Sequence, residues 1–528
     1  MTRMQAARPR RAGLESNVPG FDAALLEDGQ LYGLVVGIDP PEGRKLPAAE
    51  LQQLRDPVAE LLFERGTFPA TTDELLRALD ALNGDPAGLP HQRSYVVGEG
   101  GRIPVQAGDG TARSLRFAVT RASAPNVPPE LLMSVGAGGD PRQRFLQVAG
   151  WDQTAGHFNF YLRNEGTTAW IWAGNSYHAL EPRSRGKGPF DGHVNGSLVM
   201  KELKVPWSHW HSSRASIREA ADEAVAADPL FADRAHADDF EASVIRPWVG
   251  RWTTRRLERM RAAGTIEHPD RLMRQVLTTT TANLVSTQTE SARLAAGAPL
   301  RLPSTFFFNL DALEQLGVPV PPAVPVIPDG RLYADALAAV GSRLEDGRGF
   351  RSAGDTHFAF LVPEPALEDV TVVLRMASTG MVPARLLVAA LMVDVANPTY
   401  SPRRAALMEP MPASADWGDG PTGLAERFAA GVTGPAGEAF LAIWQLDDDA
   451  WPQVCGEILT RYMQHVADRL ATPDGVLDYL RLAVSRRRRF ARTRLAEFPM
   501  LFPATDIPID APALELTLEG AVRPQEGA

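Results

Sequence analysis

Two imidazoles set two residues apart, His209 and His211 in VPWSHWHSS, are the sharpest chemical feature of this sequence. On a strand, residues i and i+2 point to one side and can chelate a single ion, whereas on a helix the same spacing turns them about 200° apart. Pro206 favours the extended case, because proline fixes its own φ and biases the residue before it away from helical geometry. Between Trp151 and His211 lie five of the ten Trp and five of the ten His in the chain. Within that stretch His193 and Glu202 complete a set of imidazoles and one carboxylate. That donor mix suits a divalent transition metal (Fe, Mn, Zn or Cu) with one position left open for substrate or oxygen. Haem held through one of these histidines is the second cofactor reading.

Around the ligand set, His157, Tyr161 and His178 are the groups expected to move protons. Trp172, Asp191, Asn195, Trp207 and Trp210 are those expected to wall and orient a substrate. Asp191, His193 and Asn195 sit in RSRGKGPFDGHVNG, whose glycines and prolines mark a loop, the usual carrier of binding groups on a rigid sheet. The phosphate-loop pattern GxxxxGK fails because Glu181 stands where its first glycine is required before Gly186-Lys187, and no nucleotide cofactor is assigned. The order also departs from that of the cupins, in which His-x-His precedes the glutamate and the further histidine. Here Glu202 and the other histidines of the stretch come first.

These residues need a scaffold, and the periodicity supplies one. From Arg93 to Leu203 the pattern has period two, with strands expected at Ser94–Gly98, Leu115–Arg121, Phe145–Gly150, His157–Leu162 and Thr168–Ala173. In GHFNFYLR that alternation sets Phe158, Phe160 and Leu162 on a core face and His157, Asn159 and Tyr161 in a polar row. Elsewhere the period is helical: Glu50–Arg65, a helix opened by Thr72, Ala215–Ala226, Phe240–Ala263, the Thr-rich Asp270–Ala295, Leu332–Leu344, Leu367–Met376, Arg385–Ala396, Pro452–Leu470 and Pro473–Phe498. The fold class read from this is α+β, with a β-rich antiparallel middle domain flanked and covered by a larger helical region. Its divisions are a basic tail over 1–20, a helical and strand segment over 21–92 and the β-rich domain over 93–213. A helical region over 214–317, a Pro-rich connector over 318–328, a helical C-terminal region over 329–502 and an irregular tail over 503–528 complete it.

Composition narrows the function. A net charge of −10 lacks the basic face that nucleic acid or an anionic membrane requires. The most apolar run, Leu386–Ala396, is eleven residues with Asp394 inside it, against the roughly 20 of a membrane span. Its Asp394 reads as a carboxylate bonded to the helix end or to an arginine. One cysteine, Cys455, forms no internal disulfide and falls on the apolar side of a helix, so a reducing cytoplasm is the expected compartment.

Three polar features stand apart from the cluster. The threonines of TTTTANLVSTQTES give a helix side suited either to lining a pocket or to facing solvent. His357 reads as a strand histidine. The arginines from Arg486 to Arg489, with Arg492 and Arg494, read as a solvated face pairing with the chain's excess acids. Taken together, the residues point to a cytoplasmic, bacterial-type metal-dependent oxidoreductase for a small, partly apolar substrate. A metal-dependent hydrolase and a non-catalytic ligand-binding or assembly protein with a Trp-rich surface are the alternatives.

Overall fold

The computed structural model of the chain describes residues 26–82, 89–98, 115–198, 211, 223–287, 295–322, 324–345, 351–353, 357–492 and 503–525. The basic tail, Glu202, Trp207, His209, Trp210 and Arg494 lie outside them. The fold is α+β. The described residues fall into two compact units, one within Met1–Val199 and Trp207–Arg255, the other within Arg256–Ala496 and Leu501–Ala528.

The first unit is built on a nine-stranded sheet. Its strands are β1 (Leu31–Gly33), β2 (Arg44–Lys45), β3 (His91–Gly98), β4 (Leu115–Ala122), β5 (Leu131–Gly136), β6 (Leu146–Asp152), β7 (His157–Arg163), β8 (Trp170–Asn175) and β9 (Arg234–Ala235), in the order β2-β1-β8-β7-β6-β5-β4-β3-β9. β3 to β8 form an antiparallel meander. Two additions make the sheet mixed rather than antiparallel: β1 runs parallel to β8, pairing Tyr32 with Ile171, and β9 parallel to β3, pairing Tyr95 with Ala235. Both join from distant parts of the chain, which is what parallel neighbours require. β5 has no counterpart in the periodicity reading, because its Leu131-Leu132-Met133 run is apolar on consecutive residues. A strand covered on both faces loses the alternation that identifies it.

The same covering changes β7. Asn159 and Tyr161, read as a polar row, are buried as completely as Phe158 and Phe160 on the opposite face. On the Tyr161 side the cover is the turn Ala59–Phe63 and the helix Thr72–Asp80, whose Leu62, Phe63, Leu75 and Leu79 pack with Val148, Tyr161 and Trp170. Each such side chain contributes roughly 1.5–3 kcal/mol by leaving water. Thr71 caps that helix by accepting from the Glu74 N–H at 3.2 Å, and Glu74 in return accepts from the Ala70 N–H at 2.7 Å. The expected single helix Glu50–Arg65 is instead a short helix, Ala48–Leu51, and that π-type turn. On the other face Phe158 stacks on Trp248 at 4.2 Å from the helix Arg246–Ala263.

The second unit carries the helices Asp270–Leu277, Gly330–Ala339, Leu367–Ser378, Ala384–Met392, Gly434–Trp444, Trp451–Leu470 and Pro473–Arg492. The long Thr-rich helix does not form. The helix beginning at Asp270 ends at Leu277 with Thr278 extended, and Ala282–Val285 pairs antiparallel with Val362–Pro365. Consecutive β-branched threonines are stiff at χ1 and favour extended backbone, and Thr278 bonds the Arg274 carbonyl at 2.7 Å where a further helical turn would begin. Val326–Ile327, inside the proline-rich 318–328, pairs with Leu300–Arg301. His357 opens a 3-10 turn, His357–Phe360, rather than a strand. Leu514–Leu516 and Val522–Pro524 form a hairpin within the C-terminal stretch. Among the described residues no helix is long and apolar enough to cross a membrane.

Candidate functional site

The described residues of the Trp151–His211 stretch do not converge on one point. Tyr161 is fully buried and donates from its hydroxyl to Asp56 Oδ2 at 2.5 Å; Asn159 Nδ2 donates to the same oxygen at 3.0 Å. Asn159 Oδ1 accepts from Trp172 Nε1 at 3.0 Å. Asp56 Oδ1 takes the backbone N–H groups of Val58 and Ala59 at 3.0 and 3.3 Å. This chain of bonds ties the segment before the Ala59–Phe63 turn to the middle of the sheet. Burial pushes the Asp56 carboxyl up to about 6, although the bonds from Tyr161, Ala59 and Asn159 pull the other way. Burial, with the Asp56 charge beside it, pushes the Tyr161 hydroxyl well above its ordinary value. Tyr161 therefore belongs to an interior network rather than to an open proton-transfer face.

The histidines take separate places. His157 meets Tyr177 edge to face at 5.8 Å, and Tyr177 in turn meets Trp252 at 5.0 Å. His178 sits in the turn after β8, where its Nδ1 accepts from the Asn175 N–H at 3.2 Å and its ring abuts Trp172 at 5.5 Å. Burial lowers its pKa, which favours the neutral ring. His193 stacks on Phe160 at 4.5 Å, on the opposite face of β7 from Tyr161. Asn195 receives the Trp252 Nε1 bond on its main-chain oxygen at 2.9 Å, and Asp191 closes the 3-10 turn Gly188–Asp191. Trp151, Trp170, Trp248 and Trp252 are buried, so these indoles are core rather than an exposed binding surface.

His211 lies at the other side of the sheet. Its N–H donates to the Val96 carbonyl of β3 at 3.1 Å, its carbonyl accepts from the Ala237 N–H at 2.7 Å, and its ring lies against that of His236, with centroids 4.9 Å apart. From β7, where His193 packs, to β3 is four strand spacings, roughly 19 Å along the sheet. Two rings on one ion need their nitrogens within about 4 Å, so His193 and His211 do not share an ion. Trp172 on β8 is one strand further still. Among the described residues no three of His, Cys, Asp and Glu stand close enough to hold a metal.

Sequence reasoning overlooked several groups. His236 sits alone, 25 residues from His211, and only the chain's path brings the two together. Asp56 had a legible signal, since Asp56-Pro57 is the order of a helix cap followed by a first-turn proline. The expectation that the chain holds no GxGxxG spacing is wrong, since Gly418-x-Gly420-x-x-Gly423 has it. It follows the strand Ser414–Asp416 and precedes the helix Leu424–Gly431. A dinucleotide fingerprint requires a parallel βαβ unit, whereas Ser414–Asp416 pairs antiparallel with Thr265–Glu267 in a two-stranded ribbon. Here the glycines close a tight loop: a Cβ on Gly423 would fall 2.3 Å from the Gly418 carbonyl oxygen.

In the second unit, Gln275, Thr279, Thr281, Asn309, Asp369 and Thr399 line a narrow cleft with room for about one water-sized group. Gln275 and Thr399 are 6% and 2% exposed, and Gln275 Oε1 and Thr399 Oγ1 have no hydrogen-bond partner among the described residues. Leaving a buried polar atom unsatisfied costs about 1–3 kcal/mol. Asp394, expected as a bonded carboxylate, accepts from Asn397 Nδ2 at 2.7 Å and Ser401 Oγ at 2.5 Å, just beyond the helix Ala384–Met392. Cys455 is buried, and burial pushes its thiol up to about 11.

The arginine run is not a solvated face. Arg486 and Arg487 are buried and bind neutral oxygens. Arg486 binds the Phe306 and Ala396 carbonyls and Asn397 Oδ1, and Arg487 binds the Ala359 and Leu361 carbonyls. No family pattern, characterised protein or solved structure matches this chain significantly.

Proposed function

We propose that this chain is a metal-dependent enzyme, an oxidoreductase for a small, partly apolar substrate, with its ion held at the β3 edge by His211 and His236; His209, which lies outside the described residues, is the further ligand that the His-x-His spacing of the sequence offers. The observation that carries this reading is the His211–His236 pair. Two imidazoles bound to one ion at the usual metal–nitrogen distance of about 2.1 Å have ring centroids about 5 Å apart, and these stand at 4.9 Å. The rings are near parallel, at 16°, so one must turn about its Cβ–Cγ bond to aim a nitrogen at a shared ion; His236, which is exposed, has space to do so. His211 is tied through both its N–H and its carbonyl, as a strand residue is. Extended backbone is the geometry in which a His-x-His pair shares one side of the chain. An ion held by imidazoles supplies Lewis-acid or one-electron chemistry when bound. His193 has no part in this ligand set, and its place over Phe160 is packing.

Elemental analysis and a visible spectrum of untagged protein test the reading. One equivalent of a transition metal is expected, with His211→Ala and His236→Ala each losing it while still unfolding cooperatively. Metal-free, colourless protein overturns the proposal, and full metal content in both variants moves the ligands elsewhere. Metal-loaded protein that consumes no oxygen or redox dye but cleaves an ester or amide would make it a hydrolase.

A further inference from the structure

We infer that Trp172, Tyr161 and Asp56 form a one-electron relay, in which an oxidising equivalent delivered at the Trp172 indole passes to the Tyr161 phenol as the phenol proton moves to Asp56. The co-reactants are a diffusible one-electron oxidant, an inorganic radical or a high-valent metal complex, and a diffusible reductant of the ascorbate class that closes the cycle. The inference does not depend on the metal reading above, whose ion stands at the β3 edge, four strand spacings from β7.

The sheet puts the two rings together. Tyr161 and Trp172 pair directly across β7 and β8, so their side chains leave the same face from neighbouring positions, with Cβ atoms about 5 Å apart. Both pack in one apolar cluster. At that separation an electron passes between the rings without any movement of the chain. Trp172 is partly exposed whereas Tyr161 is 1% exposed, so an oxidant arriving from solvent meets the indole first.

Hydrogen bonding sets the direction of transfer. An oxidised indole is the stronger oxidant while it keeps its N–H proton, and Trp172 Nε1 donates at 3.0 Å to Asn159 Oδ1, an amide oxygen too weakly basic to take that proton. A phenol gives up an electron readily when its proton has a base to go to. Tyr161 donates to Asp56 Oδ2 at 2.5 Å, and the same carboxyl accepts from Asn159 Nδ2 and from the Val58 and Ala59 N–H groups, the pattern of an acceptor-only, ionised carboxylate. In the forward step Trp172 loses one electron to the oxidant, and its radical cation takes one electron from Tyr161 as the phenol O–H bond breaks and the proton passes to Asp56. The products are a neutral indole, a neutral tyrosyl radical and a protonated Asp56. One electron from the reductant restores the phenol, with the proton returning along the same bond. Burial holds the Asp56 carboxyl at about 6, so above that pH it is the base this step requires and below it is not. Asp152 on β6 and the Tyr161 hydroxyl on β7 are the titratable groups that act on Asp56, while Glu60 and Glu64 of the adjoining turn pair with Arg55.

The test oxidises the full chain with a photogenerated ruthenium(III) complex at neutral pH and follows the radicals by transient absorption and electron paramagnetic resonance. A neutral tyrosyl radical that is missing from Tyr161→Phe is expected. Trp172→Phe, which keeps an aromatic ring in place, should lose most of that signal, and Asp56→Asn should form it about a hundredfold more slowly, the usual loss when a positioned base is removed. In the unsubstituted chain the Tyr161 signal should fall as pH drops through about 6, with the Trp172 radical rising in its place. That titration decides the role of Asp56 if Asp56→Asn fails to fold. The same tyrosyl signal in Tyr161→Phe, an undiminished one in Trp172→Phe, or a Tyr161 yield that is constant across that pH range would overturn the relay and leave the three side chains as packing alone.

Discussion

Asp56 carries the clearest single-residue consequence of the fold. Its folded pKa of about 6 lies above the roughly 3.9 of an unfolded aspartate, so the native state binds a proton more tightly than the unfolded chain does. Its contribution is therefore most favourable below about pH 4 and is lost as pH rises from 4 through 6, by roughly 3 kcal/mol in all. Asp56→Asn abolishes that titration while turning one amide hydrogen toward donors. The stability gap between wild type and variant in urea unfolding should shrink steadily between pH 4 and pH 6. A gap that stays constant across that window would show that Asp56 titrates normally. The neighbouring Gly150 belongs to the same argument, since a Cβ there would come within 2.5 Å of Asp56 Oδ1. Nothing in the local pattern of β6 announces that need.

At the scale of elements, the helix Pro473–Arg492 shows how charge can build an interior. Thr472 as cap and Pro473 at the first position made its start legible, and the Thr472 hydroxyl does accept the Gly475 N–H at 3.1 Å. Acids outnumber bases in the chain, and on that count alone its arginines belong on a wet face. Yet Arg486 and Arg487 are desolvated, which pulls both down to about 10 and still leaves them charged at neutral pH. They gather main-chain carbonyls from segments far apart in sequence, while the half-exposed Arg488 reaches the Ile507 and Pro508 carbonyls. Arg487→Met should lower stability by about 3 kcal/mol or more, because it strands buried carbonyls. Arg488→Met should cost under about 1 kcal/mol, since water can replace its bonds. Denaturant midpoints with helicity monitored at 222 nm compare the two, and equal losses would contradict the role assigned to Arg487. The Thr-rich segment was misread for a related reason: helical periodicity persists on paper through residues whose β-branching ends the helix.

For the whole molecule, the division into two units predicts unfolding in more than one step. Seven of the ten Trp lie within Met1–Val199 and Trp207–Arg255, whereas the longest helices, Trp451–Leu470 and Pro473–Arg492, lie in the other unit. Tryptophan emission and far-UV circular dichroism should then give non-coincident urea transitions. Superimposable curves would mean that the two units unfold as one. The sequence by itself determined the fold class, most strands of the meander and the starts of the helices, because period, caps and turn residues are local properties. It also singled out the polar residues of the Trp151–His211 stretch. Only the tertiary structure decided which polar residues meet. Sheet order separates His193 from His211 by four strand spacings, chain reversal sets His236 beside His211, and burial turns Tyr161, Arg486 and Arg487 from surface chemistry into internal hydrogen bonding. Proximity and desolvation depend on which segments cover which faces, and that choice is made by packing across long sequence distances.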